Sequence, residues 1–383
     1  MIKLNKENLI NLRRMLHKNA EVGFDLPLTR SIIKENLDRL NLKYYENKGG
    51  IYGIINSPKC SKDSYILLRA DMDGLPMREL TDLEFKSQSE CAHTCGHDIH
   101  TTALLGSLEY ITENLDKLNK NIVFLFQSNE EGGKGAMEAL KGIEKDIGFE
   151  KINEAFAQHV NAKSPLGTIN YGYGQTFASN DTFEVTITGI GGHAARPFET
   201  KDPLNAAAHI VCMMYAMMQR ESNPFEHNLF SITSIVNQET TNIIPDSVKI
   251  LGSLRTYNRD QRNYLVKRLE EVATGTATAF SVKSEFTLTN SIPEVVTDKE
   301  FTDEVLDGIR KLGSYNVNTD EVKLGSEDFA YISEKFPRCA YIFLGAGIDE
   351  TRGLDVGQHN PKVVFNEEAI FIGVNCILSL VCN

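Results

Sequence analysis

Nowhere in the 383 residues do about 18 apolar residues run without interruption, which excludes a conventional membrane-spanning helix. The opening MIKLNKENLINLRRMLHKN lacks the unbroken apolar core of a signal peptide, since charged and apolar residues alternate there at helical spacing. Positive charge is scarce as well. Forty Lys and Arg against 52 Asp and Glu leave a net charge of −12, and no dense basic stripe stands out. Neither nucleic acid nor an anionic membrane is therefore an expected partner. The seven cysteines are odd in number and scattered, so no disulfide framework is expected and a reducing cytoplasm is the natural compartment. Low-complexity tracts and solenoid-period repeats are also missing. What the chain does have is 41% hydrophobic residues, enough to fill the cores of the two or three domains that its length suggests.

The densest chemistry lies in Cys91 to His100, CAHTCGHDIH, where two thiols, three imidazoles and a carboxylate fall within ten residues. In an extended backbone Cys95 and His97 would face one way and could grip one ion, and a borderline-soft divalent metal accepts both thiolate and imidazole. A histidine-rich loop with a buried cysteine is the alternative for this string alone. Around it, helical period covers Glu7 to Lys18 and Thr29 to Leu42, with a turn at Gly23 to Pro27. Strands are expected at Ile51 to Asn56 and at Tyr65 to Ala70, the second running into Asp71, Asp73 and Gly74. A helix from Thr101 to Leu118 precedes NIVFLFQ, a buried strand ending in Ser128, Asn129, Glu130 and Glu131. A short helix from Ala136 then leads to a strand, Ala155 to Gln158, that ends in His159. Open α/β sheets bind ligands at the carboxyl edge, so three successive strands finishing in Asp, Glu or His point to one site.

From Asp181 the order becomes strand, helix (Pro203 to Arg220), strand, strand, helix (Arg262 to Phe280), strand, the βαββαβ plan of a ferredoxin-like unit. The α/β pattern resumes with a helix at Asp298 to Leu312, the strand CAYIFLG and a last helix from Glu367. The expected organisation is a catalytic domain built from 1–177 and 292–383, interrupted by an inserted domain over 178–291.

Cys95, His97, Glu131, His159 and His359 exceed one tetrahedral shell once water is added, and fit two ions that share ligands at an open site. Glu130, next to Glu131, would be free to take a proton from water. Each has a plainer reading alone, as a solvated charge or a satisfied polar group. Together with LRRMLHKNAEVGFD, LRADMDGLPM, HTCGHDIHT, FQSNEEGGKGA, GIGGHAARP, NIIPD, LGSEDFAY and QHNP, in that order, they carry a resemblance over nearly the whole chain. The chain resembles the aminoacylase and hippurate hydrolase family of dinuclear metallopeptidases, especially the branch of indole-acetyl-amino-acid amidohydrolases. That resemblance implies an α/β fold with a mainly parallel-sheet catalytic domain and an inserted ferredoxin-like lid and dimerisation domain. It implies Cys95, His97, Glu131, His159 and His359 as ligands of two divalent metal ions, Glu130 as general base and Asp73 as a supporting carboxylate. In the lid it implies His193, reaching a substrate carbonyl from a neighbouring subunit, and Asn242 and Arg255, touching the substrate carboxylate. A histidine buried between glycines, and an ordinary surface ion pair, are the plainer readings of His193 and Arg255.

The chain departs from the family pattern at Phe198, where a second lid histidine is common, at Gln358 and Asn360 beside the last ligand, and at Asn19. The acidic pair Glu327 and Asp328 of GSEDF resembles a family segment, and could equally cap the following helix. The function expected is hydrolysis of the amide of a small N-acyl amino acid by a cytoplasmic homodimer, with zinc or manganese, or else cobalt or nickel, as the metal. An N-acetyl-diaminopimelate deacetylase or a dipeptidase on the same centre is the nearest alternative. A non-catalytic metal-binding homologue and a thiol enzyme using Cys95 stand further off.

Overall fold

The runs YILLRA and NIVFLFQ form adjacent parallel strands buried on both faces, as apolar runs without alternation must be. The computed structural model describes residues 5–60, 64–237, 240–318, 323–348 and 356–382. The chain folds as two units, one of Met1–Thr176, Val295–Val322 and Glu327–Asn383, the other of Phe177–Glu294 and Lys323–Ser326.

In the first unit α1 (Lys6–Lys18) and α2 (Pro27–Arg39) precede β1 (Tyr44–Asn47), β2 (Gly50–Ile55) and β3 (Tyr65–Asp71). Then come α3 (His97–Glu113), β4 (Asn121–Gln127), α4 (Gly135–Asp146), β5 (Ile152–Pro165), β6 (Thr168–Tyr171) and β7 (Gly174–Phe177). The second unit contributes β8 (Asn180–Thr188), β9 (Gly192–His193), α5 (Pro203–Glu221), β10 (Asn228–Val236), β11 (Ile243–Ile244), β12 (Ser247–Thr256), α6 (Arg259–Ala279) and β13 (Lys283–Ile292). The chain ends with β14 (Val295–Thr297), α7 (Lys299–Lys311), β15 (Asn316–Asn318), α8 (Phe329–Lys335), β16 (Cys339–Gly347) and α9 (Ala369–Val381).

The large sheet of the first unit runs β1-β2-β4-β3-β5-β16-β6-β15. It is parallel from β4 through β3 and β5 to β16, and again between β6 and β15. Such strands need helices on their faces, and α3 and α9 are accordingly buried almost all round: Ile99, Leu104 and Leu108 of α3 share a core with Phe371, Val374 and Leu378 of α9.

In the second unit the four-stranded sheet runs β10-β12-β8-β13 and is antiparallel throughout. Along β8, Asp181, Phe183, Val185 and Ile187 are buried, and the alternating Thr182, Glu184 and Thr186 are not. This period of two places one sheet face under α5 and α6. Of the four methionines of α5, Met214, Met217 and Met218 fill that core and only Met213 is exposed.

Two local expectations are corrected. β5 does not end at His159 but continues to Pro165, because β16 supplies a partner there, pairing Phe343 with His159 and Leu344 with Val160. And α3 begins at His97, four residues before the expected start, because Gly96 adopts φ +93° and turns the chain directly into the helix. Cys95 and His97 therefore flank a left-handed glycine and do not belong to an extended stretch. The edge strand β1, YYEN, is short and half polar, and its sequence carries no clear strand signal.

Candidate metal centre

Cys95 and His97 reach the carboxyl edge of the sheet through the turn at Gly96, where the first helical turn of α3 begins. Glu130 and Glu131 stand on the loop after β4, His159 on β5, and His359 on the segment before α9. The chain brings His359 in by a backbone bond, His359 N to Thr94 O at 3.0 Å, and by Gln358 Nε2 donating to Val160 O at 2.6 Å. Cys95 Sγ lies 3.4 Å from His159 Nε2, and Glu131 Oε1 lies 3.4 Å from His359 Nε2 and 3.9 Å from His97 Nε2. Two ligand atoms on one tetrahedral zinc stand roughly 3.3 to 3.7 Å apart. Donor atoms of Cys95, His97 and His159 all fall within 4.8 Å of one another, and so do those of Cys95, Glu131 and His359. Cys95 belongs to both triplets. All five expected ligands thus come together, and Glu130 stands beside them, its Oε2 4.0 Å from His97 Nε2.

A second rank of residues aims the first. His159 Nδ1 is 2.7 Å from Val160 O, which turns Nε2 toward Cys95. His97 Nδ1 is 2.9 Å from Asp73 O, leaving the buried Nε2 with no hydrogen-bond partner among the described residues. The Asp73 carboxylate accepts from Glu130 N at 3.1 Å and Glu131 N at 3.2 Å, so it holds the loop that presents both glutamates. His100 is not available as a ligand. Val160 N donates to its Nε2 at 2.9 Å, so the ring proton sits on Nδ1 and donates to Asp71 Oδ1 at 2.6 Å.

Sequence reasoning passed over two buried networks behind these groups. Arg69, inside β3, donates to Gln127, Asp71, Glu327 and Asp328, all buried. Arg13 and His17 of α1 meet Asp98, the residue after His97, at 2.7 and 2.8 Å, and His17 Nε2 also reaches Glu79 at 3.1 Å. The signal for the second was present: Arg13 and His17, four apart on one helix, lie on the same face.

The electrostatics of the centre call for added positive charge. Burial, and then Glu131, Glu130 and Asp71, push the Cys95 thiol well above its ordinary range. Burial, Glu327, Glu131 and Asp328 do the same to Glu130. Burial disfavours the charged form of His97, yet Asp71, Asp73 and Glu131 outweigh it and raise the ring to about 10. A thiol held protonated is a poor nucleophile, which speaks against a Cys95 thiol enzyme. Cations among these groups would reverse the same balance, and the unpartnered His97 Nε2, the donor spacings and the mixed sulfur, imidazole and carboxylate set all suit divalent metal.

The family model described as peptidase family M20/M25/M40 matches residues 67–383. The chain belongs to this peptidase family. Among curated relatives, the IAA-amino acid hydrolase ILR1-like 2 of Arabidopsis thaliana is 31% identical over 95% of this chain and 82% of its own length. The N-acetylcysteine deacetylase of Bacillus subtilis is 30% identical over 95% of this chain and 93% of its own. Among solved structures, a dinuclear metal-binding M20 peptidase of Bacillus subtilis superposes with a TM-score of 0.82 at 28% identity, over 98% of this chain and 97% of that one. The chain is accordingly a metal-dependent amidohydrolase, and its donor groups together with this kinship support two divalent ions.

The remaining expected site residues lie in the second unit. His193 ends β9, is exposed, and pairs in register with Ile243, while Ala194 N donates to Asn242 O at 3.0 Å, so His193 and Asn242 adjoin. His193 is therefore not the buried histidine of its plainer reading. Arg255, half-buried on β12, makes no ion pair among the described residues and donates to Leu324 O at 3.1 Å. Phe198 is 80% exposed. No helix among the described residues is long and apolar enough to cross a membrane.

Proposed function

We propose that this M20 chain hydrolyses the amide bond of small N-acyl amino acids, with Cys95, His97 and His159 holding one ion and Cys95, Glu131 and His359 the other. The observation that carries the reading is Cys95 standing in both triplets with Glu130 beside them and, among the described residues, no side-chain hydrogen bond tying Glu130 down. When bound, the two ions would polarise the scissile carbonyl and acidify water between them. Glu130 accepts the proton of the attacking water and passes it to the departing amine nitrogen, so amide C–N cleavage yields a carboxylic acid and a free amino acid. Asp73 keeps Glu130 and Glu131 in place through their backbone N–H groups.

For the second unit we assign His193, reaching in from a neighbouring subunit, to the oxygen of the scissile carbonyl, where an imidazole N–H stabilises developing charge, and Asn242 and Arg255 to the substrate carboxylate. The strand order β10-β12-β8-β13 and two helices on one face support reading this unit as an inserted ferredoxin-like lid. Zinc or manganese as the metal, a homodimer through the lid and cytoplasmic residence complete the proposal. The thiolate ligand favours zinc.

Glu130→Gln tests the mechanism. It should keep two metal ions per chain by elemental analysis and lose all but about a thousandth of kcat on N-acetyl amino acids, hippurate and indole-acetyl amino acids. Turnover near the wild-type rate would overturn the assignment. Dipeptides and N-acetyl-diaminopimelate in the same panel distinguish the neighbouring activities, and a metal-loaded protein inert on every substrate would make it a binding protein.

A further inference from the structure

The loop that presents Glu130 and Glu131 leaves β4 at Gln127 and enters α4 at Gly135. Its two ends touch: a Cβ on Gly135 would lie 1.7 Å from Ser128 O. Asn129 within it takes φ +57°, a left-handed conformation that needs support from outside. Asp73 supplies part of that support by accepting from the backbone of Glu130 and Glu131. The rest comes from a residue distant in sequence. Asp328 is fully buried at the start of α8, but its side chain makes no capping bond to its own helix. One carboxylate oxygen accepts from Gln127 Nε2 at 2.7 Å and the other from Ala136 N, in the first turn of α4, at 2.9 Å. Arg69 closes the ring, donating to Asp328 Oδ1 at 3.2 Å and to Gln127 Oε1 at 2.9 Å. Glu327, its neighbour, accepts from Phe329 N at 2.9 Å and so does part of the capping expected of the pair; its other bonds go to Arg69 and Tyr341.

We propose that Asp328 is a positioning residue that clamps both ends of the Glu130–Glu131 loop, and so sets the base and one ligand together. The inference rests on the roles given to Glu130 and Glu131 above. A carboxylate is required because both oxygens must accept; an amide offers one acceptor and turns its NH2 toward a donor. Displacing a catalytic group by about 1 Å can cost a hundredfold in rate.

The test compares Asp328→Asn with Glu327→Gln in the full-length enzyme, since each removes one buried negative charge close to Glu130 but only Asp328 hydrogen-bonds the two ends of the loop. For Asp328→Asn, kcat should fall about tenfold or more with KM changed less than about threefold, and one of the two ions should leave at a lower chelator concentration. Glu327→Gln should lower the thermal midpoint with a smaller loss of kcat and an unchanged chelator midpoint. Gln127→Met, which releases one end of the clamp, should act as Asp328→Asn does and serves if that variant does not fold. Equal losses of kcat and of chelator resistance in the Asp328 and Glu327 variants, or wild-type values in Asp328→Asn, would overturn the clamp. Should Glu130→Gln stay active, the base assignment falls, and the chelator midpoints still decide the clamp.

Discussion

Gly96 joins two proposed ligands, and replacing it by Ala should damage the protein by two separable routes. At φ +93° a residue with a Cβ carries a conformational penalty of about 1–2 kcal/mol. The new Cβ would also lie 2.3 Å from Val160 Cγ2, far inside van der Waals contact, and relief by shifting a packed core typically costs about 1–3 kcal/mol. The sum, about 2–5 kcal/mol, is a large share of the stability of an ordinary domain. Urea unfolding of the metal-stripped protein, followed by circular dichroism, measures it; chelation first is necessary because ions bound between Cys95 and His97 would add their own linkage. The two routes separate in a double-mutant cycle. In a Val160→Ala background the severe contact is gone and the nearest remaining neighbour is Phe365 Cζ at 3.3 Å, so Gly96→Ala should then cost little beyond the dihedral part of about 1–2 kcal/mol. A Gly96→Ala protein within about 0.5 kcal/mol of wild type, or one whose loss is the same in both backgrounds, would refute this account of why a glycine stands there.

Two other perturbations probe the networks behind the centre. Arg69→Met strips the counter-charge from buried Asp71, Glu327 and Asp328, and should cost about 3–5 kcal/mol near neutral pH. Deprived of their cation, these carboxylates would take up protons in the folded state, so the loss should shrink as pH falls; a loss below about 1 kcal/mol at about pH 7.5 would contradict the structure. His17 is disfavoured as a cation by burial, but Asp98 overrides this and its pKa is raised. Its charged form then contributes stability in full below about pH 6.5, and the contribution disappears as pH rises through the elevated value. The urea midpoint of the wild type should therefore fall, as pH rises above about 6.5, more steeply than that of His17→Gln, and parallel profiles would rule this out.

Much of this architecture was legible in the one-dimensional pattern, because short apolar runs rich in β-branched and aromatic residues, such as YILLRA and NIVFLFQ, suit strands covered on both faces. The same runs showed where the candidate site residues cluster, since Asp73, Glu130 and Glu131 come within a few residues of strand ends, and motif order carried Cys95, His97, His159 and His359 with them. Local pattern failed where the cause lay elsewhere in the chain. β5 runs past His159 because β16, nearly two hundred residues on, offers it hydrogen bonds. α3 starts early because Gly96 takes a dihedral that a residue letter permits but does not require. Asp328 turns away from its own helix toward α4, and Arg69 is enclosed by carboxylates from separate segments, because burial leaves a charged group no water and it must take whichever partners the packed core brings near. Donor types and their order along the chain are properties of sequence. That His97 keeps a ring nitrogen unoccupied while His100 keeps none is decided only by the neighbours that folding places around each ring.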